Sequence, residues 1–392
     1  MIMDFSFSIP QNIIFGAKSL LKLPEAAAKL GKKKALIISG PHLEKIGLVA
    51  KCSAALKASG IESASFCKTE ANPSVETVEK AAAVFLESGA DFIVAFGGGS
   101  PLDVAKAVAV LASFGGKITD YEGAGKVPGP VVPMIAIPTT AGTGSEVTAF
   151  SVITDHSRNY KLTVASSHIL PDAAILDPEL IYTVPEGTAA ACGIDAMIHA
   201  LESYLSKAAS PFSEMLSLRA LELIGSSILE YAADRKNAKA AENMMAGSLF
   251  AGIAFSHARL GNVHAMSHPI SAFFNVPHGV ANAILLPQVV EFNEKAAENP
   301  EIKNKYYQIY RCVCKNPVAK EEFLPSMLKK ELKILNENLK IPATLKEAGI
   351  DEKTFAKVLD QMADDAMKSG NISVNPRKTE KPDILEIYRK SF

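Results

Sequence analysis

Apolar positions along this chain show two textures. In the first half, short β-branched runs alternate with stretches whose apolar residues recur at helical spacing. Lys34–Ser39 (KALIIS) reads as a buried strand with a helical stretch after it. Glu62–Cys67 is a second strand, Val75–Ser88 a helix, Asp91–Phe96 (DFIVAF) a third strand and Met134–Ile137 a fourth, ending at Pro138. Strands separated by helices imply βαβ units and a parallel sheet. Beyond about Pro185 apolar residues keep helical spacing, as in Gly193–Leu205, Glu214–Tyr231, Ala240–Leu260 and Glu321–Leu339, and no strand-like alternation stands out. That half reads as a helical bundle. The predicted organisation is therefore an α/β domain with a parallel sheet over residues 1–185 and an all-α domain over 186–392, with the change of texture near Tyr182–Gly187.

Composition narrows the partners. The 392 residues are 48% hydrophobic and 21% charged, an ordinary globular balance, and the length suits two domains. With 41 basic against 42 acidic residues and no basic block, the chain offers no surface for nucleic acid or an anionic membrane. No apolar run reaches the ~20 residues needed to span a bilayer. The start, MIMDFSFSIPQNIIFG, carries Asp4 and Pro10 and lacks the charged and unbroken apolar regions of a signal peptide, so a cytoplasmic location is expected. Five scattered cysteines, Cys52, Cys67, Cys192, Cys312 and Cys314, make no disulfide framework and read as reduced thiols.

Two loops carry candidate chemistry. Gly97-Gly98-Gly99-Ser100-Pro101-Leu102-Asp103 follows a predicted strand and opens a predicted helix. Glycines let the backbone approach a bulky anion, Ser100 can cap the helix, Pro101 suits the first helical position, and the free N–H groups of the helix start favour a pyrophosphate. Asp103 fits the first turn electrostatically, although its charge disfavours a phosphate placed too close. The loop is not the G-x-G-x-x-G fingerprint, and read alone it is equally a well-capped turn. A second loop, Pro138-Thr139-Thr140-Ala141-Gly142-Thr143-Gly144-Ser145-Glu146-Val147-Thr148, also follows a strand, and its hydroxyls suit ribose, phosphate or a nicotinamide amide. Open α/β sheets bind ligands at such strand ends.

The helical half holds a second constellation. Asp195 and His199 are spaced i,i+4, as are His264 and His268, and His278 follows Pro277. That spacing places each pair on one helix face. A carboxylate and several imidazoles among apolar and small neighbours are costly unless paired or metal-bound. Three His and one Asp give mixed N/O ligation suited to Fe(II), Zn(II) or a similar divalent ion. No H-E-x-x-H is present, which disfavours a zinc peptidase.

In their order and spacing these motifs resemble the iron-containing (group III) alcohol dehydrogenase family over nearly the whole chain. The match runs through both loops, Asp195–Glu202, His264–Pro269, Val276–Pro287, Asn375-Pro376-Arg377 and Asp383-Ile384. The resemblance implies a hydride transfer between NAD or NADP and a small primary alcohol or aldehyde, on an N-terminal nicotinamide-cofactor-binding α/β domain and a C-terminal helical metal and substrate domain. It assigns Asp195, His199, His264 and His278 as ligands of Fe(II), with Zn(II) the alternative. His268 is the proton-relay candidate in the substrate pocket, which Phe255 also faces. Gly98, Gly99, Ser100, Thr139, Thr140 and Thr143 would contact the cofactor, Asp103 and Ser145 are counted with them as cofactor-binding, and Asn72 and Lys161 stand where members contact ribose. Members are cytoplasmic homodimers or larger homo-oligomers acting on such substrates as lactaldehyde, 3-hydroxypropionaldehyde and butyraldehyde. One departure bears on the cofactor. Many members carry an Asp where this chain has Gly40, and a carboxylate there binds the adenosine 2′-OH and repels a 2′-phosphate. Its absence predicts that NADP(H) is accepted. The complete Asp-His-His-His set beside both loops argues against a glycerol dehydrogenase, a dehydroquinate synthase-like lyase or a non-catalytic binding protein.

Overall fold

A computed structural model describes residues 12–392 together with Phe5, Phe7 and Ile9. Asp4 and Pro10, on which the reading of the chain's start rests, lie outside the described residues. Two compact units emerge, one formed by Phe7–Thr183 and the other containing Val184–Phe392.

The first unit is built on strands β1 (Asn12–Phe15), β2 (Lys34–Ile38), β3 (Glu62–Phe66), β4 (Phe92–Gly97), β5 (Gly123–Ala124), β6 (Met134–Pro138), β7 (Phe150–Asp155), β8 (Tyr160–Ala165) and β9 (Ala173–Leu176). Its helices are α1 (Leu23–Lys29), α2 (Pro41–Lys45), α3 (Leu48–Ala58), α4 (Val75–Ser88) and α5 (Gly99–Phe114). Six strands form a parallel sheet in the order β1-β9-β6-β4-β2-β3. Both faces are covered. Leu36, Ile38, Ile93 and Ala95 pack with Val78, Phe85, Val104 and Val108, while Ala35, Ile37, Phe92 and Val94 pack on the other side with Leu23, Val49 and Leu56. Burial on both faces is why β2, β4 and β6 read as nearly unbroken apolar runs. The four strands expected from sequence are β2, β3, β4 and β6, and the expected helix Val75–Ser88 is α4, capped by Ser74 accepting from the Thr77 amide. The pattern missed a three-stranded side sheet, β5-β8-β7, whose β7–β8 pair is antiparallel.

The second unit is helical throughout: α6 (Glu186–Leu205), α7 (Pro211–Gly225), α8 (Ile228–Ala233), α9 (Ala238–Ala258), α10 (Asn262–Phe274), α11 (His278–Asn293), α12 (Pro300–Val313), α13 (Pro325–Asn338), α14 (Glu352–Lys368) and α15 (Lys381–Ser391). Helix α6 packs against α7, α9 and α11, and α10 against α11 and α14. Three expected helices differ in extent, and the first, expected from Gly193, already opens at Glu186 as α6. The run Glu214–Tyr231 breaks between α7 and α8, because Gly225 abuts the Cys312 carbonyl, where no side chain fits, and Ser226 Oγ turns back to the Leu223 carbonyl. The run expected from Glu321 starts only at α13, because Pro325 suits a helix start and steers Leu324 into an extended conformation. No described helix is long and apolar enough to cross a membrane.

Candidate active site

The glycine loop turns sharply at the end of β4. Gly97 has φ +157°, and a Cβ there would lie 2.6 Å from Pro101 Cγ, so only glycine fits. Helix α5 consequently begins at Gly99 with Gly98 as its cap and no side-chain cap bond. This corrects the expectation that Ser100 caps the helix with Pro101 as its first residue: the turn at Gly97 starts the helix earlier and places Ser100 inside its first turn. The first N–H groups of α5 have no intrahelical acceptor and carry the positive end of the helix dipole. The second loop packs directly on the first. A Cβ on Gly99 would come 2.7 Å from Thr143 Cγ2, and one on Gly98 3.3 Å from Thr140 Cγ2. Gly98, Gly99, Ser100, Thr140 and Thr143 are half-buried, whereas Thr139 is buried and its N–H donates to the Gly97 carbonyl at 2.9 Å.

A buried polar network ties the loops together. Ser145 Oγ donates to Asp103 Oδ1 (2.6 Å) and the Val152 N–H donates to Asp103 Oδ2 (3.0 Å). Both Asp103 oxygens are thus turned onto the second loop and β7. Lys106 Nζ donates to Ser145 Oγ (3.0 Å), the Thr148 carbonyl (2.9 Å) and hydroxyl (3.1 Å), and the Phe150 carbonyl (2.8 Å). Burial pushes the Lys106 ammonium down to about 8 against the pull of Asp103 and Glu146. It lifts the Glu146 carboxyl to about 7 and raises Asp103 as well. Farther along the main sheet, Gly40 caps α2 at the carboxyl end of β2, and in the side sheet Lys161 Nζ on β8 donates to Asn72 Oδ1 at 2.7 Å. Asn72 itself is left-handed, with φ 56°.

Three helices of the second unit bring the predicted ligand residues together. Asp195, His199 and Glu202 lie on one face of α6. His264 and His268 lie on α10, and His278 opens α11. Gly279 lets the first turn of α11 rest against the Ala191 carbonyl of α6, an approach that any side chain would block. One donor atom each from Asp195, His199 and His264 falls within 4.8 Å of the others. Measured from Asp195 Oδ1, the Nε2 atoms of His264, His199 and His278 lie at 3.4, 3.9 and 3.9 Å. Asp195, His199 and His264 are buried, while the His278 side chain keeps 28% exposure. The His199 ring is stacked between Phe255 (4.4 Å between centroids) and His264 (4.5 Å). His268 stands beside the group, its ring stacked 5.3 Å from that of His278. Burial alone would raise the Asp195 carboxyl, but His199, His278 and His264 outweigh it and hold the group well below the usual carboxylate range. Burial lowers His264, but hydrogen bonds to Asp195 and Glu202 prevail and lift it to about 9.

Two buried residues that sequence reasoning left without a role join the cluster. Glu202 Oε2 accepts from His264 Nδ1 at 2.6 Å. Asn282 Nδ2 donates to Asp195 Oδ1 at 2.6 Å and stands 3.1 Å from Nε2 of both His264 and His278. Their spacing was a usable signal: Glu202 is i+3 from His199 and Asn282 is i+4 from His278, so each shares a face with an expected ligand.

Comparison with known proteins finds relatives over nearly the whole chain. Residues 10–178 match the family model "Iron-containing alcohol dehydrogenase", and residues 189–392 match "Fe-containing alcohol dehydrogenase family, C-terminal". The 1,3-propanediol dehydrogenase of Citrobacter freundii is 37% identical over 395 residues, covering 99% of both chains. The NADPH-dependent butanol dehydrogenase of Clostridium saccharobutylicum is also 37% identical, covering 97% of this chain and 96% of its own. A solved 1,3-propanediol oxidoreductase superposes with a TM-score of 0.93 at 36% identity, each chain fully covered.

Proposed function

The chain belongs to the iron-containing alcohol dehydrogenase family, and from that premise we propose that it reduces small aldehydes, or oxidises the matching primary alcohols, with NADP(H) accepted as well as NAD(H). The observation that carries the reading is the convergence of Asp195, His199 and His264, with His278 beside them, on one point. The donor set fits a mid-row divalent ion: one carboxylate oxygen and imidazole nitrogens, with no thiolate in the group. Asp195, His199, His264 and His278 would hold Fe(II), with Zn(II) the alternative, and the bound ion would act as a Lewis acid on the substrate oxygen.

The chain's own residues do the rest. Glu202 orients His264 from behind, through Nδ1, and Asn282 fixes Asp195 by donating to Oδ1. Phe255 covers one face of His199 and keeps that side dry. A ring nitrogen of His268 delivers the proton when an aldehyde is reduced and takes it when an alcohol is oxidised. Gly98, Gly99, Ser100, Thr140 and Thr143 cradle the pyrophosphate and nicotinamide ends of the cofactor, Asn72 and Lys161 its ribose, and Gly40 leaves room for a 2′-phosphate. Thr139, Asp103 and Ser145 act by holding those loops in register.

The test is absorbance at the reduced-nicotinamide band, using metal-stripped protein refilled with Fe(II) or Zn(II), NADH or NADPH, and a panel of short aldehydes. Oxidation of the cofactor that depends on metal is the expected result. Bound metal and bound cofactor without turnover on any aldehyde would refute the reading.

A further inference from the structure

Helix α10 carries His264 in its first turn, and its start is capped in an unusual way. Its cap residue, Gly261, supplies no side-chain bond. Nor is there room for one: a Cβ on Gly261 would lie 2.8 Å from Glu202 Oε1 and 3.1 Å from Asn375 Oδ1. Those same two oxygens take over the task. The Val263 N–H donates to Glu202 Oε1 at 2.7 Å and the Asn262 N–H to Asn375 Oδ1 at 3.3 Å. Two of the amides that a helix start leaves without an acceptor are thus satisfied from elsewhere, one by α6 and one by the segment before α15.

Each capping residue is itself held. Glu202 accepts from His264 Nδ1 with its second oxygen, so one carboxylate grips both the backbone and the ring of this turn. Asn375 pairs reciprocally with Asn293 on α11, Nδ2 donating at 2.8 Å and Oδ1 accepting at 3.2 Å. Asn262 Nδ2 donates to Thr379 Oγ1 at 2.9 Å. Glu202, Asn262, His264, Asn293, Asn375 and Thr379 are all buried, so water cannot replace a lost partner cheaply.

We propose that Glu202 and Asn375 are positioning residues of the metal centre: together they form a cap in trans that places the start of α10 and presents His264 Nε2 to the ion. The inference rests on His264 being a ligand, as argued above. Glu202 has a further effect through the ring. By accepting at Nδ1 it holds a ring proton there, so that Nε2 is the nitrogen offered to the ion. A glutamine at 202 cannot do both jobs. If its NH2 group faces Val263, donor meets donor and the cap is lost. Facing Nδ1 instead, it donates and drives the ring proton to Nε2, where the ion must bind.

The experiment is a titration of metal-free full-length protein with Co(II), read by its visible ligand-field absorption, at a temperature where circular dichroism shows every variant folded. Wild type should bind one Co(II), and His264→Ala should lose the band. If wild type binds none, the metal reading itself fails. Given wild-type binding, Glu202→Gln should weaken affinity 10- to 100-fold and alter the band. Asn375→Ala, which touches no metal donor, should weaken affinity in the same direction by a smaller factor, and it decides the matter should Glu202→Gln not fold. Wild-type affinity and an unchanged band in the folded variants would overturn the proposal.

Discussion

Gly40→Asp tests the cofactor reading most directly, because the structure lets the new side chain in without strain. Gly40 has φ −98° and ψ 161°, an extended conformation open to any residue, and its added Cβ would meet only the Thr69 carbonyl oxygen, at 3.4 Å. Folding stability should therefore hold or rise slightly, since losing a glycine restricts the unfolded chain. The location is set by the sheet. Strands β2 and β4 are parallel neighbours, so the carboxyl end of β2 lies one strand spacing, about 4.8 Å, from the end of β4, where the glycine loop begins. A dinucleotide whose pyrophosphate sits on that loop reaches β2 with its adenosine ribose. A carboxylate there would accept from the 2′-OH of NADH, a charged hydrogen bond worth about 2 kcal/mol. Against NADPH it would face a 2′-phosphate of roughly two charges at about 5 Å, a repulsion of about 2 kcal/mol even at the dielectric of bulk water. The two effects act in the same direction, and about 4 kcal/mol is roughly three orders of magnitude in the ratio of kcat/KM for NADPH to that for NADH. The assay compares that ratio in wild type and Gly40→Asp with one aldehyde, one metal loading and low salt. The repulsive half should shrink as salt is added. A ratio that stays within threefold of wild type would remove Gly40 from the ribose site and with it the argument for NADPH.

Further outcomes follow from the ligand cluster and from the cofactor loops, each taken by itself. His264→Ala should lose metal and activity together, whereas His268→Ala should keep its metal and mainly lower kcat; metal analysis beside kinetics checks both, and an emptied site in His268→Ala would show the roles misassigned. Gly99→Ala drives a methyl onto Thr143 and should weaken NADPH binding, measured by cofactor fluorescence, while leaving metal content intact. Adding Thr143→Ser, which removes the crowded methyl, should restore binding, and no rescue would mean the loops are not in the contact described. Glu146 titrates near 7 when folded against 4.5 for a free carboxyl, so the folded state holds its proton more tightly; its contribution to stability is full below pH 4.5 and lost as pH rises through about 7, at most about 3 kcal/mol. Glu146→Gln should flatten that part of the stability-versus-pH curve in urea unfolding, and parallel curves for the two proteins would contradict the burial argument.

What could be read in advance depended on whether a residue's cost is visible without its partner. Strands β2, β4 and β6 announce themselves because both faces are buried and every position must be apolar. Strands β7 and β8 do not. Their residues, FSVITD and YKLTVA, interleave hydroxyls and a lysine with apolar positions, and that lysine, Lys161, points to Asn72 rather than into a core. The expected ligands stood out for the same reason as the central strands. A carboxylate and imidazoles among alanines are expensive to bury, so their spacing on a helix face is informative before any fold is known. Asp103 was legible as a residue of the glycine loop but not as a clamp, because Ser145 and Val152, which occupy its oxygens, lie more than forty residues on. Glu202 and Asn375 show the limit most clearly. A glutamate on a helix and an asparagine before Pro376 are ordinary features of a sequence. Their meaning appears only when Gly261, which has room for no side chain, is found between their oxygens, and when the amides they satisfy prove to open the helix that carries His264. The sequence therefore reveals the groups whose burial is costly. The groups that offset the cost from a distance have to be read from the fold, and it is on those that the precision of the metal centre depends.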